Sequence, residues 1–173
     1  MQKNNLFKNN KFINVGIKTF VLLVISYSFY TFSFLLKSDF LILLNESDFK
    51  IDQIKVENYN PYEDYVVLKS WNFLASIIGL FIGFLIYLFR NRKMFSGIVE
   101  SIISLVFSSI LFWFNIVDFD AINYIFWWPG KLYPDVLVSI FLNGFYLFLL
   151  GMFLLFLPYK FHDNSTAKPT MIT

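Results

Sequence analysis

The chain has no cysteine, which excludes disulfide frameworks, thiolate metal sites, cysteine nucleophiles, and prenyl or palmitoyl anchors together. Its one histidine, His162, lies in the polar tail "YKFHDNSTAKPTMIT". A histidine-based triad, a histidine-rich metal site or a haem pair is therefore left without residues. Charge is scarce too. Only 15% of the 173 residues are Asp, Glu, Lys or Arg, and the net charge of +2 is too small and too dispersed for a nucleic-acid surface. The glycines fall inside apolar runs, in a "PG" pair or near the N-terminus, and none builds a phosphate-cradling loop. These absences argue against an enzyme, and no cofactor or metal is expected.

What is abundant is apolar surface. Hydrophobic residues make up 57% of the chain and aromatics 22%, with 24 Phe and a mean hydropathy of +0.60. A soluble domain of this size cannot bury so much, because a small globule leaves a large share of its surface exposed. The composition is that of a membrane protein. Four stretches reach the ~18 apolar residues needed to cross about 30 Å of hydrocarbon: Thr19 to Leu36, Trp71 to Phe89, Phe95 to Val117 and Val136 to Leu157. The first follows the basic segment "MQKNNLFKNNKF", but no small-residue cleavage site follows it and the run is long, so it reads as an uncleaved span.

Lys and Arg counts set the expected orientation. With the N-terminus inside, the cytoplasmic side collects nine basic residues (Lys3, Lys8, Lys11, Lys18, Arg90, Arg92, Lys93, Lys160 and Lys168) against five outside, and ten of the twelve acids fall outside. The expected fold class is an all-α integral membrane protein, a four-transmembrane-helix bundle with cytoplasmic N and C termini. Its segments are a cytoplasmic 1–18, spans 19–36, 71–89, 95–117 and 136–157, an outer loop 37–70, a cytoplasmic turn 90–94, an outer aromatic loop 118–135 and a cytoplasmic tail 158–173. Arg90, Arg92 and Lys93 pin the short turn to the cytoplasm and are candidates for partner docking. Three charges fall short of the roughly four to eight of a lipid-binding cluster.

In the larger outer loop, Phe40 to Leu44 is apolar but too short to span, and belongs at the interface or on the outer ends of the bundle. Phe49 to Val56 nearly alternates, as a short strand with a bulge at Gln53 does. "NPYE" reads as a helix start: Asn60 caps, Pro61 takes the first helical position and Glu63 the capping-box position. That helix would run into span two and stand about 12 Å proud of it, over some eight residues. The competing reading pairs Tyr65 to Leu68 with Ile51 to Val56 as a hairpin. In the second outer loop, Trp127 and Trp128 read as interface anchors. Asp118 and Asp120 are too weak a pair to assign a metal.

Small residues mark where helices touch in lipid. Ala75, Gly79 and Gly83 recur every four positions in span two. Gly97, Ser101, Ser104 and Ser108 form one stripe on span three, and Gly144 and Gly151 share a face of span four. Packing within one bundle is expected, and additional faces provide for a homo-oligomer. Glu100 is the one ionisable residue inside an expected span, beside the serine stripe, where Arg90, Arg92 or Lys93 can pair with it. Asn143 is expected to make an interhelical hydrogen bond. Glu100 and Asn143 are the candidates for coupling or gating.

Two functions fit. The first is a small multi-pass membrane subunit, an oligomeric anchor, sensor or assembly factor for a cytoplasmic or envelope protein partner. Its plan is analogous to that of membrane subunits of phage-defence or secretion assemblies. The alternative is an oligomeric channel or pore, with the span-three serines lining the path. Richness in Phe, Ile, Asn and Lys fits a bacterial inner membrane. The expected surroundings are lipid bilayer, and no direct nucleic-acid contact is expected.

Overall fold

The computed structural model describes residues 3–91, 95–114, 116 and 129–156. Among these, every regular element is helical: α1 Lys3–Ser33, α2 Ser38–Glu46, α3 Pro61–Asn91, α4 Phe95–Trp113 and α5 Val136–Phe156. Short 3-10 turns lie at Phe34–Lys37, Ile51–Gln53 and Gly130–Leu132. Four helices are long and apolar enough to cross a membrane. Hydrocarbon offers no hydrogen-bond partner to a backbone, so a run of Leu, Phe and Ile this long closes its own ladder as a helix.

Contacts fix the relative directions. Ser26 meets Ser76 and Ser33 meets Asn72, so α3 runs opposite to α1. Ile25 meets Gly151 and Phe32 meets Gly144, so α5 does the same. Ser104 approaches Val15 and Ser108 approaches Thr19, so α4 runs alongside α1 in the same direction. The helix at the centre is α1, packed against α3, α4 and α5. Within the most apolar stretch of each helix, 61% of the residues near α1 are buried but only 17% of those in α4, which makes α4 the peripheral member. Val21, Leu22 and Ile25 of α1 pack with Leu80, Tyr87 and Leu155, while Val24, Tyr27 and Tyr30 pack around Leu147.

The chain between α1 and α3 folds into a cap. Phe40 and Leu41 of α2 are buried against Leu68 of α3 and Ile140 of α5, so the short apolar run lies on the end of the bundle. The helix start at "NPYE" forms as the cap residues dictate. Asn60 Oδ1 accepts from the Tyr62 N–H at 3.2 Å, and Asn60 Nδ2 donates to Glu63 Oε1 at 3.0 Å. From there α3 runs unbroken for 31 residues.

The strand expected in the outer loop needs correction. The strand over Phe49 to Val56 is absent: Ile51–Gln53 is a 3-10 turn, and Tyr65 to Leu68 belong to α3 rather than to a hairpin. The apparent alternation has no sheet to face. Ile54 packs under the cap, whereas Phe49 is 63% exposed and sits with Asp48 at positive φ, where the chain reverses after α2. A lone strand would leave its backbone groups without partners, which the local turns supply here. The helix of the third expected span is described from Phe95 to Trp113, and Val117 lies outside the described residues. The first helix reaches well before Thr19, beginning at Lys3.

Candidate functional site

The polar groups of the bundle converge on α1. Lys18, Thr19, Ser26, Ser28, Thr31 and Ser33 are all buried. Hydroxyls this short allow close helix approach and give a donor to a neighbouring carbonyl. Ser26 donates to Ser76 O of α3 at 2.9 Å, and Ser28 to Gly144 O of α5 at 2.9 Å. Ser33 Oγ lies 2.6 Å from Asn72 Oδ1 and 2.7 Å from Tyr30 O.

Glycines make those approaches possible. A Cβ on Gly79 would sit 2.8 Å from Ser26 Cα, and one on Gly83 would sit 2.9 Å from Leu22 Cδ2. Gly144 receives the Phe32 ring and Gly151 receives Ile25. Ala75, grouped with Gly79 and Gly83 by spacing, is only half-buried. The α3 face that meets α1 runs instead through Asn72, Ser76, Gly79 and Gly83.

The serine stripe of α4 is buried as a unit. Ser101, Ser104 and Ser108 have no exposed surface. Each hydroxyl bonds to a carbonyl of its own helix: Ser101 to Gly97 O at 2.8 Å, Ser104 to Glu100 O at 2.8 Å and Ser108 to Ser104 O at 2.7 Å. The cross-helix distances from Ser104 to Val15 O and from Ser108 to Thr19 O are longer, at 3.3 and 3.5 Å. With one proton per hydroxyl, the back-bond within α4 takes precedence. The stripe is a packing surface for α1.

Glu100 is bound where sequence alone did not place it. Its carboxylate pairs with Lys18 of α1 at 2.8 Å, with side chains 17% and 11% exposed respectively. The Lys18 ammonium also lies 3.4 Å from Gly97 O and 5.9 Å from the centre of the Tyr87 ring. Of the three cations expected to be within its reach, Arg92 and Lys93 lie outside the described residues, and Arg90 donates to Leu155 O, tying the ends of α3 and α5. The parallel run of α1 and α4 brings Lys18 within reach of Glu100, while the guanidinium of Arg90 bonds to α5. The orientation count treats Lys18 only as one of the inner basic residues. The signal for its role was present: it is the basic residue nearest the apolar run of α1, and Glu100 is the one acid of α4.

Asn143 is corrected as well. Its Oδ1 accepts from the Gly130 backbone N–H at 2.8 Å, so it anchors the turn before α5 rather than joining two helices. A side chain at Gly130 would run into Ser139 and Asn143. This turn folds down along α5, and a non-helical N–H among apolar helices must find an acceptor. Arg92, Lys93, Trp127, Trp128, Asp118 and Asp120 lie outside the described residues. Among the described residues no cluster of three metal-ligating side chains occurs.

Beside the ion pair, a groove of about 1010 Å³ opens between α1 and α4, lined by residues including Phe12, Gly16, Thr19, Val99, Glu100 and Ile103. At the other end, the cap carries its own polar lock. Lys37 Nζ lies 2.6 Å from one oxygen of Asp64, and the Tyr59 hydroxyl donates to the other at 2.7 Å. These two partners hold the Asp64 carboxyl below the usual carboxylate range, Lys37 foremost. Burial, followed by Asp64, pushes Tyr59 up to about 12. The chain matches no protein-family model, no curated protein and no solved structure.

Proposed function

We propose that the chain is a small multi-pass membrane subunit that acts by holding a partner protein. The observation that carries this reading is the cap. Residues 38–70 are not a slack connection but a folded element, seated on the bundle through Phe40 and Leu41 and locked by Lys37, Tyr59 and Asp64. It presents charged and apolar side chains outward, among them Phe49, Tyr62 and Val66. The bundle interior supports the same reading, because Ser26, Ser28, Ser33 and the ion pair of Lys18 and Glu100 join α1 to its neighbours, as in a scaffold.

In this reading both termini and the turn at Arg90, Arg92 and Lys93 face the cytoplasm of a bacterial inner membrane, by the basic-residue count. The cap faces the envelope, and Trp127 and Trp128 anchor the outer interface. Copies of the chain associate through the lipid-side faces of α3 to α5. A pore lined by Ser101, Ser104 and Ser108 would require α1 to leave them, since α1 covers the stripe.

The test is extraction into native nanodiscs from the cell that makes the protein, followed by native mass spectrometry. A second protein at fixed stoichiometry is expected, lost when Phe49 and Val66 are changed to Ser. A bare homo-oligomer that conducts ions in planar bilayers would sink the proposal in favour of the pore.

A further inference from the structure

We infer that two copies of the chain pair through α5, with the hydroxyls of their Tyr146 side chains bonded to each other across a two-fold axis. Tyr146 stands at the centre of Val136–Phe156, about 15 Å from either end at 1.5 Å per residue. Its side chain lies on the outer surface of the bundle, 42% exposed, and its hydroxyl bonds to no described residue. In a span of this length that depth is the middle of the hydrocarbon, which supplies neither donor nor acceptor. Leaving a phenol unbonded there is costly. The buried serines of α4 avoid the cost by bonding back to carbonyls of their own helix. A tyrosine has no such escape, because its ring carries the oxygen away from the backbone, and the side chain is too short to reach the membrane surface.

The missing partner therefore comes from another molecule, and depth and valence select a second copy. Copies inserted in the same direction hold Tyr146 at the same level, and a phenol both donates and accepts, so each hydroxyl supplies what the other lacks. A two-fold axis along the membrane normal sets the residue against its own equivalent. The spacing around it suits a helix pair. Leu142, Tyr146, Leu149, Phe153 and Phe156 follow at intervals of four, three, four and three, the repeat of left-handed packing, and all but the half-buried Leu142 are exposed. This face is distinct from the one toward α1, where Ile140, Gly144, Leu147 and Gly151 are buried. The pairing rests on the reading that copies of the chain associate, and it leaves the cap free for a partner protein.

The full chain, labelled at Lys55→Cys with a donor or an acceptor dye, is reconstituted in phosphatidylcholine vesicles over a series of protein-to-lipid ratios, and pairing is read by energy transfer. A monomer-to-dimer transition is expected. Tyr146→Phe keeps the ring and should raise the ratio needed for half-pairing by roughly three- to tenfold. The monomer of that variant should hold or raise its unfolding midpoint, since it loses only an unbonded hydroxyl. Single cysteines in the unlabelled chain, which has none of its own, place the interface. Leu149→Cys and Phe153→Cys should give disulfide-linked dimers on oxidation, and the comparably exposed Phe81→Cys of α3 and Val106→Cys of α4 should not. In membranes of the cell that makes the protein, a benzophenone side chain at Leu149 should form an adduct of twice the chain mass. Chains that stay monomeric at every ratio would end this pairing together with the reading that copies associate. Dimers unaffected by Tyr146→Phe, disulfide linkage only through Phe81→Cys or Val106→Cys, or a Leu149 adduct with a different protein or with lipid alone would overturn the pairing and leave association through another face standing.

Discussion

Three glycines of the bundle differ in what surrounds them, and so in what a methyl group would do. At Gly79 the obstacle is backbone, with Ser26 Cα at 2.8 Å and Ile25 O at 3.1 Å, and neither can turn aside. Gly79→Ala should cost about 1–3 kcal/mol by overpacking. At Gly83 the nearest atom is the tip of Leu22, a flexible side chain, so the same change should cost less than about 1 kcal/mol. Gly16→Ala meets nothing and should stabilise α1 by up to about 1 kcal/mol through backbone entropy. Unfolding titrations of the three variants in one detergent check that order. Thr19 adds a contrast of sign. Its buried hydroxyl has no hydrogen-bond partner, so Thr19→Val, which keeps the branched shape, should stabilise by about 1 kcal/mol. Ser26→Ala loses a bond to Ser76 O and should cost about 0.6 kcal/mol in the same assay.

The cap is the element whose stability should respond to pH. Asp64 has a lower pKa in the fold than its ordinary 3.8, because Lys37 and Tyr59 bind its charged form. That contribution is complete above pH 3.8 and disappears as pH falls through the lower folded value. Tyr59 works in the other direction. Raised from 10.0 to about 12, it stabilises the cap fully below pH 10 and loses this effect as pH rises through 12. The cap should therefore be tightest between roughly pH 4 and 10. A spin label on Lys55→Cys, free of background because the chain has no other cysteine, should report rising mobility at both extremes. Asp64→Asn should remove the acid limb of that profile; an unchanged limb would assign it to another group.

For the molecule as a whole, the telling contact is the one that fastens its least buried helix. Helix α4 is held to α1 by a stripe of small residues whose hydroxyls bond mainly to α4 itself, and by one charged pair, Lys18 and Glu100. Removing either partner leaves a charge that is less than a fifth exposed, at a cost on the order of 3 kcal/mol. Lys18→Met with Glu100→Leu should recover most of that loss, giving a large coupling term in a double-mutant cycle. Additive losses would show that the pair does not bind α4. Distances between labels at Gly16→Cys and Ile103→Cys would show whether the single variants release the helix while α1, α3 and α5 stay packed.

The sequence by itself determined the features governed by neighbours along the chain. Apolar runs of sufficient length must close their own hydrogen bonds, which yields the four long helices; Asn60, Pro61 and Glu63 start α3 through contacts no more than three residues apart; and the small-residue periodicity marks Gly79, Gly83 and the α4 serines as contact faces. The tertiary structure decided what each face meets. Lys18 and Glu100 are 82 positions apart, and only the parallel placement of α1 and α4 makes them partners. Ser33 and Ser26 select Asn72 and Ser76 because α3 passes α1 in one register, which no local pattern encodes. Asn143 finds a backbone N–H at Gly130 because the turn folds back along α5. The alternation at Phe49 to Val56 misled for the same reason: period two describes a strand only where a second strand lies beside it, and here the neighbours are helices.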